Sequence, residues 1–300
     1  NNFNLNFIKI LLIYFFSTIF IIFLYSSTGV RLLDSFNIAF TVISSGGFVP
    51  AKALSNIFTS DIQIFILSLT LLLPILNFYL IFNLFINEFS LQRHQEDLHM
   101  LIIIILLTLF FYFFIIPSEG ISTVFLAVTS SISTSGIAIY SSDFDISLIF
   151  ILLTIIGGSL VSVSSGFKYI RFYILFKIAY QEIYRLAKPI NIFNKNLFNT
   201  ESRISDDDSK IAFLVFITFI ISIFILSSIL ALDYLTFENS FKLSILTLTN
   251  TVNSSLYGME NLNFLDLGDS TKIVLIIFMI LGKAEIITVI FLIKRFIFKE

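Results

Sequence analysis

The sequence predicts an all-α membrane protein built from three tandem repeats, each made of a span, a short half-helix with a polar turn, and a second span. First, 57% of the 300 residues are hydrophobic and 13% are charged, whereas soluble domains are about 45–50% apolar and about 25% charged. Second, six stretches are long enough to cross a bilayer, which takes about 20 apolar residues. Third, a shorter segment rich in Ser and Thr lies between the two spans of each pair.

The same composition excludes several classes of protein. The chain has no Cys, which excludes a disulfide scaffold and a Cys-ligated metal site. An aromatic content of 16% excludes a disordered chain. Only two His and no paired catalytic carboxylates are present, so we expect neither an enzyme nor a resident cofactor. The net charge of −2 gives no reason to expect a nucleic-acid partner, and the partner we expect is the lipid bilayer.

The six predicted spans differ in regularity. They cover residues 7–26, 62–86, 99–117, 146–180, 210–232 and 271–298. The second span contains Pro74, which predicts a kink. The fourth is too long for one straight helix and carries Gly157 and Gly158 in its middle, which predicts an interruption there.

The three intervening segments cover residues 34–45, 120–133 and 238–251. Apolar stretches of this length are candidates for re-entrant half-helices. A surface helix in an outer loop would have a similar composition, but three occurrences at the same place favour the re-entrant interpretation. The repeats are therefore predicted at 1–93, 94–200 and 201–300.

Small and polar residues follow each half-helix and mark the turn. Phe36 precedes Gly47 by eleven residues, as Phe125 precedes Gly136, and the same count from Leu243 leads to Ser254. The predicted turn residues are Ser45, Gly46, Gly47, Thr134, Ser135, Gly136, Asn253 and Ser254.

The distribution of charge predicts the orientation. Thirteen of the 18 basic residues lie on one face: Lys9, Arg93, Lys168, Arg171, Lys177, Arg185, Lys188, Lys195, Arg203, Lys210, Lys294, Arg295 and Lys299. The positive-inside rule places these connections and the C-terminus in the cytoplasm. The other face holds four bases and ten acids, namely Asp34, Asp61, Glu119, Asp143, Asp145, Asp233, Glu238, Glu260, Asp266 and Asp269. An acidic face concentrates cations. The excess of acids on this face is equally explained by the placement of the bases in the cytoplasm.

A half-helix that turns back inside the membrane exposes backbone carbonyls, which is tolerated only beside protein or a water-filled path. Small residues allow the tight turn. The negative end of each half-helix points to the same place. A ring of carbonyls there can replace the hydration shell of a cation, so the turns predict a cation filter.

The ordered motifs resemble the Trk/Ktr/HKT superfamily of cation transporters, most closely the TrkH-type pore subunit. The matching stretches are residues 40–48, 128–137, 156–171 and 279–286. The resemblance implies a potassium-channel-like pore of four repeats in a bacterial inner membrane, with potassium as the transported ion and sodium as the second candidate. The first repeat would be missing, and the chain begins at Asn1 without Met, so we expect a fragment.

The resemblance also implies a gate and partners. The gate is the loop that interrupts the fourth span, with Gly157, Gly158, Ser162, Ser164, Ser165, Gly166 and Lys168 as its residues. For Lys168 the alternative is a Lys that snorkels to the interface. The implied partners are a second copy in a homodimer and a separate cytosolic nucleotide-binding ring subunit.

Three departures from the family pattern support an alternative function. Only three of the four repeats are present, Ser254 stands where the family has Gly, and Val161 and Val163 stiffen the predicted gate. By the same resemblance, Lys283 replaces an Arg that faces the cavity beneath the filter, and the alternative for Lys283 is a structural ion pair within the membrane. The alternative is a degenerate, non-conducting relative that serves as an assembly or regulatory partner.

Two polar clusters are predicted to have ordinary roles. His94 and His99 flank a connection with Glu96 and Asp97, where a solvated cytoplasmic loop is favoured over a metal site. The acids at 206–208 are predicted to cap a helix start rather than to bind a divalent ion.

Overall fold

A computed structural model describes residues 2–50, 54–85, 94–139, 144–187, 196–198, 204–233, 235–259, 262 and 264–283. Within these ranges the chain forms eleven α-helices, and the only β-type pairing is one isolated bridge between Ile156 and Phe167. The predicted all-α class is confirmed. The proposed repeat boundaries near residues 93 and 200 lie outside the described residues, so they stay a prediction.

One long helix opens each predicted repeat. These helices are α1 (Asn2–Ser27), α5 (Gln95–Phe110, continued by a π-helical turn at Phe111–Ile115) and α9 (Asp206–Leu232). Each contains a stretch long and apolar enough to cross a membrane. Large apolar side chains such as Phe23, Phe114 and Phe224 are exposed on them, as expected for surfaces that contact lipid. The chain is a membrane protein.

A 12-residue helix follows each long helix. These are α2 (Leu32–Ile43), α6 (Ile121–Ile132) and α10 (Phe237–Leu248). All three end within a few residues of the predicted half-helices, which are confirmed as short helices. The middle one, α6, packs against α3, α5 and α7, while α10 packs against α7, α9 and α11. The half-helix of the middle repeat is therefore enclosed by its neighbours.

The second helix of the first two repeats is interrupted. The first is divided into α3 (Asp61–Thr70) and α4 (Phe78–Phe85), and the second into α7 (Phe144–Ile155) and α8 (Tyr169–Ala187). The final helix is α11 (Asp269–Lys283). The sequence predicts a kink at Pro74, but the structure has a complete break there, because residues 71–76 form a turn between α3 and α4. Pro74 has no N–H to donate, and its carbonyl bonds to another segment, described below.

The solvated loop predicted around His94 is wrong. Both His94 and Asp97 are buried, and the Asp97 carboxylate lies 3.3 Å from Nδ1 of His94. The backbone N–H of Asn77 donates to the same carboxylate at 2.8 Å, so Asp97 holds the point where α4 begins. His99 packs instead against the ring of Phe198. Among the described residues no group of three acids or histidines is arranged to hold a metal ion.

The acids at 206–208 lie in the first turn of α9, as predicted for a helix start. Ser205 is the N-cap residue, and its side chain accepts a hydrogen bond from the backbone N–H of Asp208 at 3.1 Å. The Asp208 carboxylate accepts one from the backbone N–H of Ser205 at 3.0 Å. This reciprocal pair is a capping box.

We predict that Asp97→Ala destabilises the protein by about 1–3 kcal/mol, because it leaves the partly buried N–H of Asn77 without its acceptor. Thermal unfolding in detergent, followed by circular dichroism, measures the effect. The control is Asp207→Ala, which removes an exposed side chain paired with Lys210 and should change stability by less than about 1 kcal/mol. Equal melting temperatures for the two variants would contradict the assignment.

Candidate functional site

The three 12-residue helices end in the same hydrogen-bonded turn. The residue after the helix cap adopts a left-handed conformation in each case, namely Ser45 (φ 53°), Thr134 (φ 58°) and Asn250 (φ 53°). The next N–H bonds to the carbonyl five residues back: Gly46 to Thr41 at 2.8 Å, Ser135 to Ser130 at 3.1 Å, and Thr251 to Leu246 at 2.9 Å. This is the Schellman arrangement that ends many helices. We call residues 44–47, 133–136 and 249–252 the three filter turns, after the cation filter that the sequence predicts there.

The shared geometry corrects the register of the third filter turn. The position after Gly46 and Ser135 is Gly47 and Gly136, both with φ +73°, and its equivalent in the third turn is Val252. Asn253 and Ser254, the residues predicted there, lie beyond the turn. Asn253 donates from Nδ2 to the carbonyl of Met259 at 3.0 Å, and Ser254 caps a short 3₁₀ helix.

A sequence signal for the correct register does exist. Phe241 precedes Val252 by eleven residues, the same spacing that separates Phe36 from Gly47 and Phe125 from Gly136. Counting from Leu243 instead moved the predicted turn two residues too far.

The filter turns converge at one place. A Cβ added at Gly47 would lie 1.7 Å from the carbonyl oxygen of Ser135, and one added at Gly136 would lie 2.2 Å from the carbonyl oxygen of Val252. Both glycines also have a left-handed φ, which they adopt without the steric penalty that a Cβ brings. The backbones of the three turns are therefore in direct contact, in the order first, second, third.

The surroundings of the turns are polar and buried. Ser130, Ser131, Ser133, Thr134 and Ser135 of the middle repeat have no solvent-exposed surface. The hydroxyl of Ser45 is also buried and makes no hydrogen bond within the described part of the chain. Three helix C-termini carry partial negative charge to this place, so the electrostatic environment favours a cation.

The intramembrane loop, residues 156–168 between α7 and α8, lies next to the turns. The N–H of Gly157 donates to the carbonyl of Phe167 at 2.9 Å, and the N–H of Phe167 donates to that of Ile155 at 2.8 Å. These bonds draw the two ends of the loop together. A Cβ at Gly157 would lie 2.3 Å from the carbonyl oxygen of Ser165, so a glycine is required for this closure.

The loop is bonded to the break in the preceding repeat. The N–H groups of Val163 and Ser164 both donate to the carbonyl of Pro74 at 3.1 Å, and that of Ser159 donates to the carbonyl of Ile75 at 2.9 Å. The carbonyls freed between α3 and α4 are therefore the acceptors for the N–H groups freed between α7 and α8. A Cβ at Gly158 would lie 2.4 Å from the carbonyl oxygen of Ile75, so this contact also needs a glycine.

Lys168 closes the loop on itself. Its ammonium donates to the carbonyl of Ser164 at 2.8 Å, and to the carbonyl and hydroxyl of Ser162 at 3.2 and 3.0 Å. The residue is only 9% exposed. This buried position contradicts the alternative of a Lys that snorkels to the interface.

Two contacts join the loop to the filter turns and to the last helix. The N–H of Ser165 donates to Oγ1 of Thr134 at 3.1 Å, which links the loop to the second filter turn. Lys283, at the end of the described part of α11, donates from Nζ to the carbonyl of Val163 at 2.7 Å. Lys283 therefore contacts the loop directly, and Glu285, two residues further on, lies outside the described residues.

Sequence reasoning missed three participants. Pro74 and Ile75 supply the acceptors just described, and Glu96 accepts a hydrogen bond from the N–H of Leu160 at 3.0 Å. The available signal for Glu96 was its place at the start of a membrane span, where an acid is uncommon and calls for a partner.

Comparison with known proteins identifies the fold. No family model and no curated protein matches this sequence. The structure is similar to the crystal structure of the potassium transporter TrkH from Vibrio parahaemolyticus, with a TM-score of 0.81 and 22% sequence identity over 92% of this chain. The chain spans about 61% of the length of that structure. This similarity shows that the chain has a TrkH-type fold.

We predict that Gly136→Ala disrupts the packing of the filter turns, because its Cβ would collide with the backbone of Val252. Gly29→Ala is the matched control. Gly29 also has a left-handed φ, of +89°, but no atom lies within 4 Å of an added Cβ, so only the backbone penalty of about 1–2 kcal/mol applies. Thermal unfolding in detergent should show a clearly larger loss for Gly136→Ala, and equal losses would contradict the convergence of the turns.

Proposed function

Because the chain has a TrkH-type fold, we propose that it forms part of a pathway for monovalent cations across the bacterial plasma membrane, potassium first and sodium second. The observation that supports this proposal is the convergence of three helix C-termini on Gly47, Gly136 and Val252. A cation at this place would exchange its hydration shell for backbone carbonyls. The hydroxyl groups buried around the turns would supply further oxygen atoms.

The intramembrane loop is proposed as the gate of this pathway. It lies against the second filter turn through Ser165 and Thr134, and Lys168 and Lys283 hold it through bonds to its carbonyls. Opening would require these contacts to break together. The buried hydroxyl of Ser165, which has no hydrogen bond within the described part of the chain, would then be available to water or an ion.

A closed pore needs more than these three repeats. The open side of α2 presents Phe36 and Phe40, each about half exposed, and a cavity of about 520 Å³ lies between α1 and α2. We propose that a further span, half-helix and span cover this side. A homodimer and a separate cytosolic nucleotide-binding ring subunit remain proposals that come from the family resemblance alone.

One observation favours the alternative of a non-conducting relative that acts as an assembly or regulatory partner. Val252 replaces the glycine of the other two turns, and its Cγ2 would lie 2.8 Å from a Cβ at Gly47. A branched side chain thus occupies the junction of the turns. The alternative holds if this junction no longer accepts an ion.

We predict that the full-length protein restores rubidium uptake to cells that lack their own potassium uptake. The control is the same protein carrying Gly136→Ala, which should abolish uptake because it separates the filter turns. Absence of uptake by a folded, membrane-inserted wild-type protein would contradict the proposed pathway.

We predict further that Val252→Gly separates the two functions. In a conducting protein, the change alters the geometry of one filter turn, and a difference of about 1.4 kcal/mol in ion binding changes the ratio of rubidium to sodium uptake about tenfold. In a non-conducting relative, uptake stays absent. Val274→Gly on α11 is the control for loss of a Val side chain away from the turns. An unchanged ratio in a conducting protein would show that residue 252 does not line the pathway.

A further inference from the structure

We infer that Glu96, at the start of α5, is a positioning residue that holds both ends of the intramembrane loop. The inference rests on the proposed role of that loop as the gate. It concerns a carboxylate on a different helix from the loop, 64 residues away in sequence from its contact at Leu160.

Glu96 contacts the loop on its entry side and on its exit side. On the entry side, Oε1 accepts a hydrogen bond from the backbone N–H of Leu160 at 3.0 Å. On the exit side, the backbone N–H of Ile170 and the ammonium of Lys168 lie close enough to interact electrostatically with the same carboxylate. One half-buried carboxylate therefore bridges the two segments that must separate if the loop is to swing open.

The position of Glu96 is itself held by its neighbour in sequence. Asp97 accepts from the N–H of Asn77 at 2.8 Å and contacts His94, which ties the start of α5 to the start of α4. The carbonyls of Pro74 and Ile75, just before Asn77, are the other acceptors for the loop. Glu96 thus holds the loop directly, while Asp97 holds the segment on which the loop rests.

Because of these contacts, the position of the first turn of α5 affects the position of the loop. The first turn of α5 places the carboxyl oxygens of Glu96 beside the loop, where one of them accepts the bond from Leu160. A displacement of this turn away from Leu160 would break the contacts at both ends of the loop at once. Apart from the attraction between Lys168 and Glu96, the contacts of Lys168 and Lys283 go to carbonyl and hydroxyl oxygens of the loop itself.

The absence of Cys from the chain allows a direct test. Ser165→Cys places a single thiol on the loop at a side chain that is only 3% exposed, so the rate of its reaction with a hydrophilic maleimide in lipid nanodiscs reports how often the loop opens. Glu96→Leu should raise this rate about tenfold, because the loss of a hydrogen bond worth about 1.4 kcal/mol changes an equilibrium by that factor. Glu96→Gln should give an intermediate rate, since its amide oxygen can still accept from Leu160.

Two controls separate loop opening from loss of folding. Glu182→Leu removes an exposed acid paired with Arg185 and should leave the Ser165→Cys rate unchanged. A thiol placed at Leu186→Cys, an exposed position at the end of α8, should react at the same rate with or without Glu96→Leu. An unchanged Ser165→Cys rate in Glu96→Leu, or an equal rise at both reporter positions, would overturn the inference.

The labelling experiment does not depend on transport. A tenfold rise in labelling of Ser165→Cys supports the role of Glu96 even if no rubidium uptake is found, in which case only the proposed pathway fails. If uptake is found and labelling does not respond to Glu96→Leu, the pathway stands and the role of Glu96 is overturned.

Discussion

The structure depends on one constraint, which is that each backbone polar group at membrane depth needs a partner within the protein. The second helix of each of the first two repeats is broken. Either break alone would leave backbone polar groups without partners, at a prohibitive cost in free energy. The break at 71–76 leaves carbonyls without helical donors, and the loop at 156–168 has N–H groups without helical acceptors. The bonds from Ser159, Val163 and Ser164 to Ile75 and Pro74 satisfy both. The two irregular segments therefore form one structural unit, although they belong to different repeats.

The general architecture was predictable from sequence because it follows from hydrophobic length. Spans and half-helices differ in the number of consecutive apolar residues, and the short helices α2, α6 and α10 were found on that basis. The complete break at Pro74 was not predictable in the same way. The sequence shows that Pro74 lacks a donor, but the acceptor role of its carbonyl depends on Val163 and Ser164 about 90 residues later. Likewise, Asp97 and His94 have the composition of a solvated connection, and only tertiary contacts bury them.

The filter turns show a second reason for a sequence-based error. The left-handed residue that ends each helix is Ser45, Thr134 or Asn250, and none of these is glycine. Gly47 and Gly136 mark equivalent positions in the first two turns. The third turn has no glycine at this position, so the sequence pattern predicts the wrong residue there. The hydrogen bonds that define the turn come from the helix side, so they are the same in all three repeats, whereas the residue that faces the junction differs.

The bonds that end each half-helix and the residue that faces the junction are separate features, and this has a consequence for sequence change. The end of each half-helix is built by bonds that precede the junction, so the third turn keeps its shape although its junction residue is not glycine. Val252 shows such a change beside an intact Schellman arrangement. Close backbone contacts require glycine at Gly47 and Gly136, so the third turn is the one whose junction residue can differ. In the proposed pathway, a single substitution at this position would change ion preference, or abolish conduction, while the architecture stays intact.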